Sequence, residues 1–462
     1  MKYDSILISM MILSLALFLT MSCSASEDSI DDNQDSLGKD VEVIVYPGEQ
    51  IMTSKLLLST TLTHRSFSNP QYTEAVARAE SYLEQYTDCL AQFTMDWGAG
   101  NTNPSKNVYN FKYLDSRVEL YYRLGRKIVL TLCRCPEWMR RDDASKGVDA
   151  APRVDMYEEF GHMSADIIRH YKKKGIDIFA VNVWSETRGY WSKELGRWLL
   201  EDYADLYNIA YDSIKNVDPK IKVGGPFVHV ESSPKGKNMA LWSGEMSSTD
   251  KEALKVFINK ARKLDFFAID RNLKENNDMS PYHMDSILRY TQFNEVIHRQ
   301  CRELLSAKFP NVPVWVVDNQ CLKGHFPEDL EAAGLASMFR WHLLGGAEFV
   351  DKWQPEDEGK ERTDPEQIAP EGMYTHIDSN NGAKPLPTLE VFKNFKNYFP
   401  TGTVIVKSIS SNEFVESLTS TKHIMLINKQ STPKHVKVKI EGVENSQKIV
   451  ELKRYEMKVF TY

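Results

Sequence analysis

Eight short apolar runs recur along the chain, each rich in β-branched or aromatic side chains and too short for a helix. They cover residues 56–63, 89–97, 127–133, 178–184, 221–226, 266–270, 312–318 and 347–353. Between them lie longer stretches in which apolar residues return every three or four positions, at 72–86, 113–125, 156–175, 203–219, 284–305 and 329–346, with a last one at 389–399. Several close on Gly or Pro, as helix ends do. Buried strands alternating with helices predict an α/β fold, a parallel sheet closed into a (β/α)8 TIM barrel. An open doubly wound sheet is the competing topology, but no G-x-G-x-x-G or G-K-[ST] follows any strand. From about Gly402 the pattern switches to strict alternation, in TVIVKSI, HIMLINKQ, KHVKVKIEG and KIVELKRYEMKVFTY. That predicts a small C-terminal antiparallel β domain, β-sandwich-like, over 401–462, with the barrel assigned to 46–400.

The N-terminus reads differently. Lys2 precedes the apolar run ILISMMILSLALFLTMS, which reads as a secretory signal over residues 1–22. Leu19-Thr20-Met21-Ser22-Cys23 resembles the lipobox of bacterial lipoproteins, which implies that Cys23 carries lipid. A plain cleaved signal with a coincidental cysteine and an uncleaved anchor are the alternatives. The polar, acidic segment that follows has no apolar period, and residues 23–45 are expected to form a lipidated tether. The expected location is the bacterial cell envelope, lipid-anchored at the outer membrane and facing the periplasm or the cell surface.

Composition narrows the function classes. The 57 Lys and Arg against 64 Asp and Glu give a net charge of -7, with no basic run or basic–aromatic stripe, so nucleic acid is not an expected partner. Beyond Cys23 the cysteines are Cys89, Cys133, Cys135, Cys301 and Cys321, an odd number, and Cys133-Arg134-Cys135 lacks metal-site spacing. No metal or cofactor is implied, and oligomeric state is left open.

The barrel gives the strand ends their meaning, because chemistry in this fold gathers at the C-terminal mouth. Glu186 follows the fourth apolar run, and Asp318 closes the seventh. Carboxylates on strands three apart face each other across the mouth, and glycoside cleavage needs one acid to protonate the leaving oxygen and another to attack carbon or activate water. Other strand ends offer His64, Trp97, Trp138, Tyr190, His229, Asp270 and Trp353 as pocket groups. Taken singly, each has a duller explanation. Arg188 pairs Glu186, Asp318 with Asn319 makes a turn, the histidines are structural and the rings pack walls.

The stretches DWGAGN with VYNFKYLDSRVEL, IVLTLCRCPEWM, VNVWSETRGYW followed by YADLYNIAYDSIKNVDPKIKVGGP, and VPVWVVDNQ resemble the barrel of glycoside hydrolase family 39 across roughly residues 55–400. The small β domain after the barrel matches that family's architecture too. The family includes β-xylosidases and iduronidases, and the resemblance places Glu186 at the general acid/base position. It implies an exported glycosidase, β-xylosidase-like, acting on a complex polysaccharide or its oligosaccharides, with the membrane as partner through the lipid. The alternative is a glycan-binding lipoprotein without turnover on the same barrel. Two positions depart from the pattern: Ser185 stands where the family has Asn, and Asp318 where it has a Glu nucleophile. The shorter Asp318 leaves a retaining enzyme, an inverting enzyme and a binding protein open. A third acid in the pocket, Glu231, Asp270 or Glu348, would bear on the choice.

Overall fold

The computed structural model describes residues 41–142, 149–230, 244–273, 287–321, 327–357, 372–379 and 381–462. Cys23, the signal segment and Glu231 lie outside them. Eight strands close a parallel barrel: one Leu57–Thr61, two Cys89–Phe93, three Lys127–Leu132, four Ile178–Val183, five Lys222–His229, six Phe266–Asn272, seven Val314–Gln320 and eight Phe349–Lys352. All eight expected runs are strands. Strands five, six and seven run two or three residues further than the apolar pattern, each ending on a polar residue, His229, Asn272 and Gln320, that faces the mouth.

Helices Thr73–Tyr86, Lys112–Arg123, Tyr157–Lys173, Leu200–Val217, Phe293–Leu305, Glu328–Leu344 and Pro387–Tyr398 match the seven expected ones. An eighth, Ser248–Lys260, was not anticipated, although its signals are ordinary. The Ser247 side chain caps it by accepting from the Asp250 amide at 3.1 Å, and Ala253, Leu254, Phe257 and Ile258 form its buried face.

Inside the barrel, the lower layers are filled by a stack of rings. Trp315 lies 3.9 Å from Phe266 and 4.6 Å from Phe349, centroid to centroid. Ala91, Ala180 and Ala268 around this stack leave it the room it occupies.

The tail folds as a seven-stranded sheet with a separate core of Val41, Val43, Val45, Val406, Val415, Ile424, Leu426, Val436, Val438, Val450 and Leu452. Two details differ from expectation. Strand Val41–Thr53, assigned to the tether and the barrel's start, lies in the middle of this sheet. It runs antiparallel to Val404–Ser410 and parallel to Lys434–Ile440, so the sheet is not purely antiparallel. The alternation in VEVIVY carries the reason, since Val41, Val43 and Val45 are buried while their neighbours are half-exposed.

Candidate active site

A pocket of about 400 Å³ opens at the C-terminal mouth, lined by Phe93, Trp97, Glu186, Arg188, His229, Asp270, Asn272, Asp318, Gln320 and Trp353. Backbone strain concentrates nearby. Of eleven described non-glycine residues with positive φ, six (Asp96, Trp97, Trp184, Glu186, Thr187 and Phe227) sit at or beside the ends of strands two, four and five. Such conformations persist where the surrounding packing imposes them, and they cluster at functional sites.

Two β-bulges aim Asp318 and His229. Against strand six, strand seven spends two steps where its partner spends one: Val316 faces Ile269, Asp318 faces Asp270, and Val317 is extra. Strand five does the same at Phe227, so that His229 also faces Asp270. Side chains along a strand alternate, and Trp315 and Val317 both point into the barrel, so a regular strand would send Asp318 outward to the helices. The extra residue flips the alternation and turns Asp318 and Gln320 into the pocket. His229, Asp270 and Asp318 therefore stand level on three adjacent strands.

Oxygens of Glu186, Asp270 and Asp318 lie within 4.8 Å of one another. Among the described residues this is the single acidic group spaced to share a cation. Arg188 offsets part of its charge, with Nη2 2.9 Å from Glu186, and His229 Nδ1 is hydrogen-bonded to Asp270 at 2.9 Å. Arg188 continues an ion chain through Asp149 at 3.4 Å to Arg134 at 2.9 Å and Asp96 at 3.0 Å. Burial works against the charge on Arg188, but Glu186 and then Asp149 hold its pKa above the usual range. Asp318 has no such cation at hand. Burial first, then the charges of Asp270, Glu186 and Asp351, raise its pKa well above the carboxylate range, with Lys352 opposing. Asp318 Oδ1 and Asp270 Oδ1 are buried without a hydrogen-bond partner, which fits groups waiting for a ligand.

Trp97 and Trp353 form the aromatic wall, their rings edge to face at 6.1 Å, with Phe93 behind Trp97 at 4.4 Å. Both arginines of the ion chain lie over Trp97, Arg134 at 4.2 Å and Arg188 at 5.5 Å.

Of the expected site residues, Glu186, Asp318, Trp97, His229, Asp270 and Trp353 line the pocket, and four do not. His64 packs edge-on against His376 at 5.0 Å, in a smaller cleft beside Arg117. The Trp138 indole donates to the Asn103 carbonyl at 3.2 Å. Tyr190 is fully buried between Trp184 and Tyr203, at 6.2 Å and 5.6 Å, and Ser185 is buried with its hydroxyl unpartnered. Each follows a strand in sequence but is not among the residues that line the pocket. Conversely, Asn272 and Gln320 were missed, although they lie two residues beyond Asp270 and Asp318 on the same strand faces, where alternation points to them. Of the other candidate acids, Glu348 pairs with Lys55 at 3.1 Å before the first residue of strand eight, at the opposite end of the barrel.

A parallel eight-stranded barrel with carboxylates gathered at its mouth, one after strand four and one near the end of strand seven, defines the class. The family described as Glycosyl hydrolases family 39 matches residues 85–329, more than half of the chain, and the chain belongs to it. A beta-xylosidase of Caldicellulosiruptor saccharolyticus is 27% identical over 135 residues, which span 27% of this chain and 26% of that protein. A beta-xylosidase of Geobacillus stearothermophilus is 26% identical over 133 residues, 27% of this chain and 25% of that protein. The matched stretch thus spans about a quarter of these relatives' length. The solved structure of a GH39 beta-xylosidase from Caulobacter crescentus superposes with a TM-score of 0.56 at 15% identity, over 87% of this chain and 84% of that one, and shares the fold.

Proposed function

We propose that the protein is an exported, lipid-anchored O-glycosyl hydrolase of β-xylosidase type that works by double displacement on oligosaccharides or a complex polysaccharide. The observation that carries this is the approach of Glu186 and Asp318 within 4.8 Å at the mouth of a family 39 barrel. Retaining pairs stand about 5–5.5 Å apart, whereas inverting pairs need about 6.5–9.5 Å to admit a water between carboxyl and sugar. Oxygens of the two acids that come within 4.8 Å leave little room for a water between them, which favours retention despite the shorter Asp318. Asp318 attacks the anomeric carbon while Glu186 gives its proton to the departing oxygen. The freed Glu186 carboxylate then takes a proton from water, whose oxygen displaces Asp318 and releases the sugar with its original configuration. Trp97 and Trp353 offer flat faces for the ring, and Asn272 and Gln320 offer hydrogen bonds to its hydroxyls.

The resting charges run opposite to the roles, because Glu186 sits in an ion pair while Asp318 favours its proton. Turnover then requires one proton on the pair, moved from Asp318 to Glu186 as substrate enters, and the pH–rate profile belongs to the pair. Because Asp318 is raised, the last proton leaves, and activity falls, at a pH well above the ordinary carboxylate range. The ion pair is also the one observation that favours a second reading, a glycan-binding protein without turnover.

The test is hydrolysis of an aryl β-xyloside and of xylooligosaccharides, with product configuration followed by proton NMR. Wild type should release the β-anomer first. Glu186→Gln should lose about 10²–10⁴-fold on the oligosaccharide and much less on the activated aryl substrate. A wild type that binds oligosaccharide by calorimetry yet cleaves nothing in a panel of glycosides replaces this proposal with the second reading.

A further inference from the structure

Behind strand seven lie two histidines that the reaction above does not use. His342, on helix Glu328–Leu344, sets Nε2 at 3.0 Å from the Asn319 side-chain oxygen. Since a carbonyl oxygen only accepts, His342 donates there, and its Nδ1 accepts from His298 Nε2 at 2.9 Å. His298 comes from the neighbouring helix Phe293–Leu305. All three side chains are fully buried, and burial keeps both rings neutral, with His298 pushed down to about 3 and His342 well below its usual value. The relay is therefore a fixed chain of neutral hydrogen bonds running from the helix layer to one residue of strand seven.

That residue adjoins Asp318, just past the bulge. With the alternation flipped at Val317, Asp318 faces the pocket and Asn319 faces outward, where His342 meets it. A regular strand would present Asp318 to the histidine and Asn319 to the pocket. The main-chain oxygen of Asn319 also accepts from the Trp353 amide at 3.3 Å, linking the same point to the aromatic wall. Facing the pocket sets Asp318 beside two other acids, Asp270 and Glu186, whose charges oppose its own, so a fixed backbone path is needed to keep it there.

We propose that His342 is a positioning residue for the nucleophile: through Asn319 it locks strand seven into the bulged path that aims Asp318 at the sugar. This rests on the reading of Asp318 as nucleophile and adds what sets its reach. The bulge and its lock advance a side chain one methylene shorter than the family's Glu to the spacing of a retaining pair.

The test separates the two ends of the ring. In His342→Gln the amide nitrogen stands where Nε2 stood and still donates to Asn319, whereas in His342→Asn the amide reaches only as far as Nδ1. His342→Gln should keep near-wild-type kcat. His342→Asn should lose about 10- to 100-fold in kcat with KM within about twofold, as for a reacting group displaced by about 1 Å. Adding Asp318→Glu to His342→Asn should recover part of that kcat, because the longer side chain restores reach. If His342→Asn does not fold, Asn319→Leu removes the acceptor in its place and should show the same kcat loss and the same rescue. Crystal structures supply a readout independent of turnover, in which the Val317 bulge is present in wild type and His342→Gln and lost or shifted in His342→Asn. Wild-type kcat in a folded His342→Asn, or an unchanged bulge there, overturns the positioning role and leaves the glycosidase reading intact. Absence of any hydrolysis by wild type defeats the glycosidase reading, and the crystallographic comparison still decides what His342 holds.

Discussion

Asp318 carries a cost that its proposed function explains. Its pKa is raised in the folded chain. Below the ordinary carboxylate value, folded and unfolded chains both hold the proton and the acid costs nothing. As pH climbs past that value toward the raised one, the unfolded chain ionises first and stability falls. Asp318→Asn, which removes the acid and keeps the shape, is therefore expected to abolish turnover while melting higher than wild type at neutral pH and alike in strong acid, as read by calorimetry at the two pH values. An equal or lower melting temperature at neutral pH would deny that this position stores strain. Asp351, raised to about 7 by burial although the Thr61 hydroxyl donates to it at 2.5 Å, adds a loss of the same sign up to that pH. At this scale the sequence was partly legible. Acids and rings just past apolar runs marked Glu186, Asp318, Asp270, His229, Trp97 and Trp353. Position after a strand does not say which way a side chain turns, and so His64, Trp138, Tyr190 and Ser185 entered the expected pocket while Asn272 and Gln320 did not.

At the scale of elements, the apolar runs gave the eight strands because a strand buried on both faces has little choice of composition. The bulges in strands five and seven were invisible, since an extra Phe227 or Val317 looks like one more core residue and its effect, reversed alternation, belongs to the pairing. Close packing of the barrel interior makes a different prediction. A methyl on Gly224 of strand five would stand 2.3 Å from the Phe266 ring and 2.5 Å from its backbone oxygen, and Phe266 is pinned by its stack on Trp315. Gly224→Ala should destabilise by about 1–3 kcal/mol through overpacking, measurable as a lower denaturant midpoint at unchanged slope. Because the displaced ring lies in the layers beneath Asp270, kcat should fall as well. Unchanged stability would mean that the ring stack is looser than its 3.9 Å spacing implies.

The whole molecule is tied together by the helix that carries His342. Its outer face presents Ser337, Arg340 and Trp341 to Glu416 of the sheet, which also accepts from Lys429 at 2.6 Å, so the second sheet braces the element that anchors strand seven. That sheet depends on strand Val41–Thr53. Its removal would part the pair Lys434–Ile440 and Lys448–Leu452 from the other four strands and expose Val406, Val436 and Val438. Three chains test this division. Cys23→Ser should move the protein from the membrane fraction to the soluble one with kcat unchanged, if Cys23 carries the lipid. A chain beginning at Asp40 should match full-length protein in melting temperature and kcat. A chain beginning at Ser54 keeps every barrel strand, yet it should melt far lower or aggregate, because the opened sheet edges and bared valines no longer support the helix behind Asp318. Circular dichroism on heating and aryl-xyloside turnover read both effects together. Equal melting and turnover in the chains from Asp40 and Ser54 would show that the barrel stands without its second sheet, and would remove the sheet from any account of the active site.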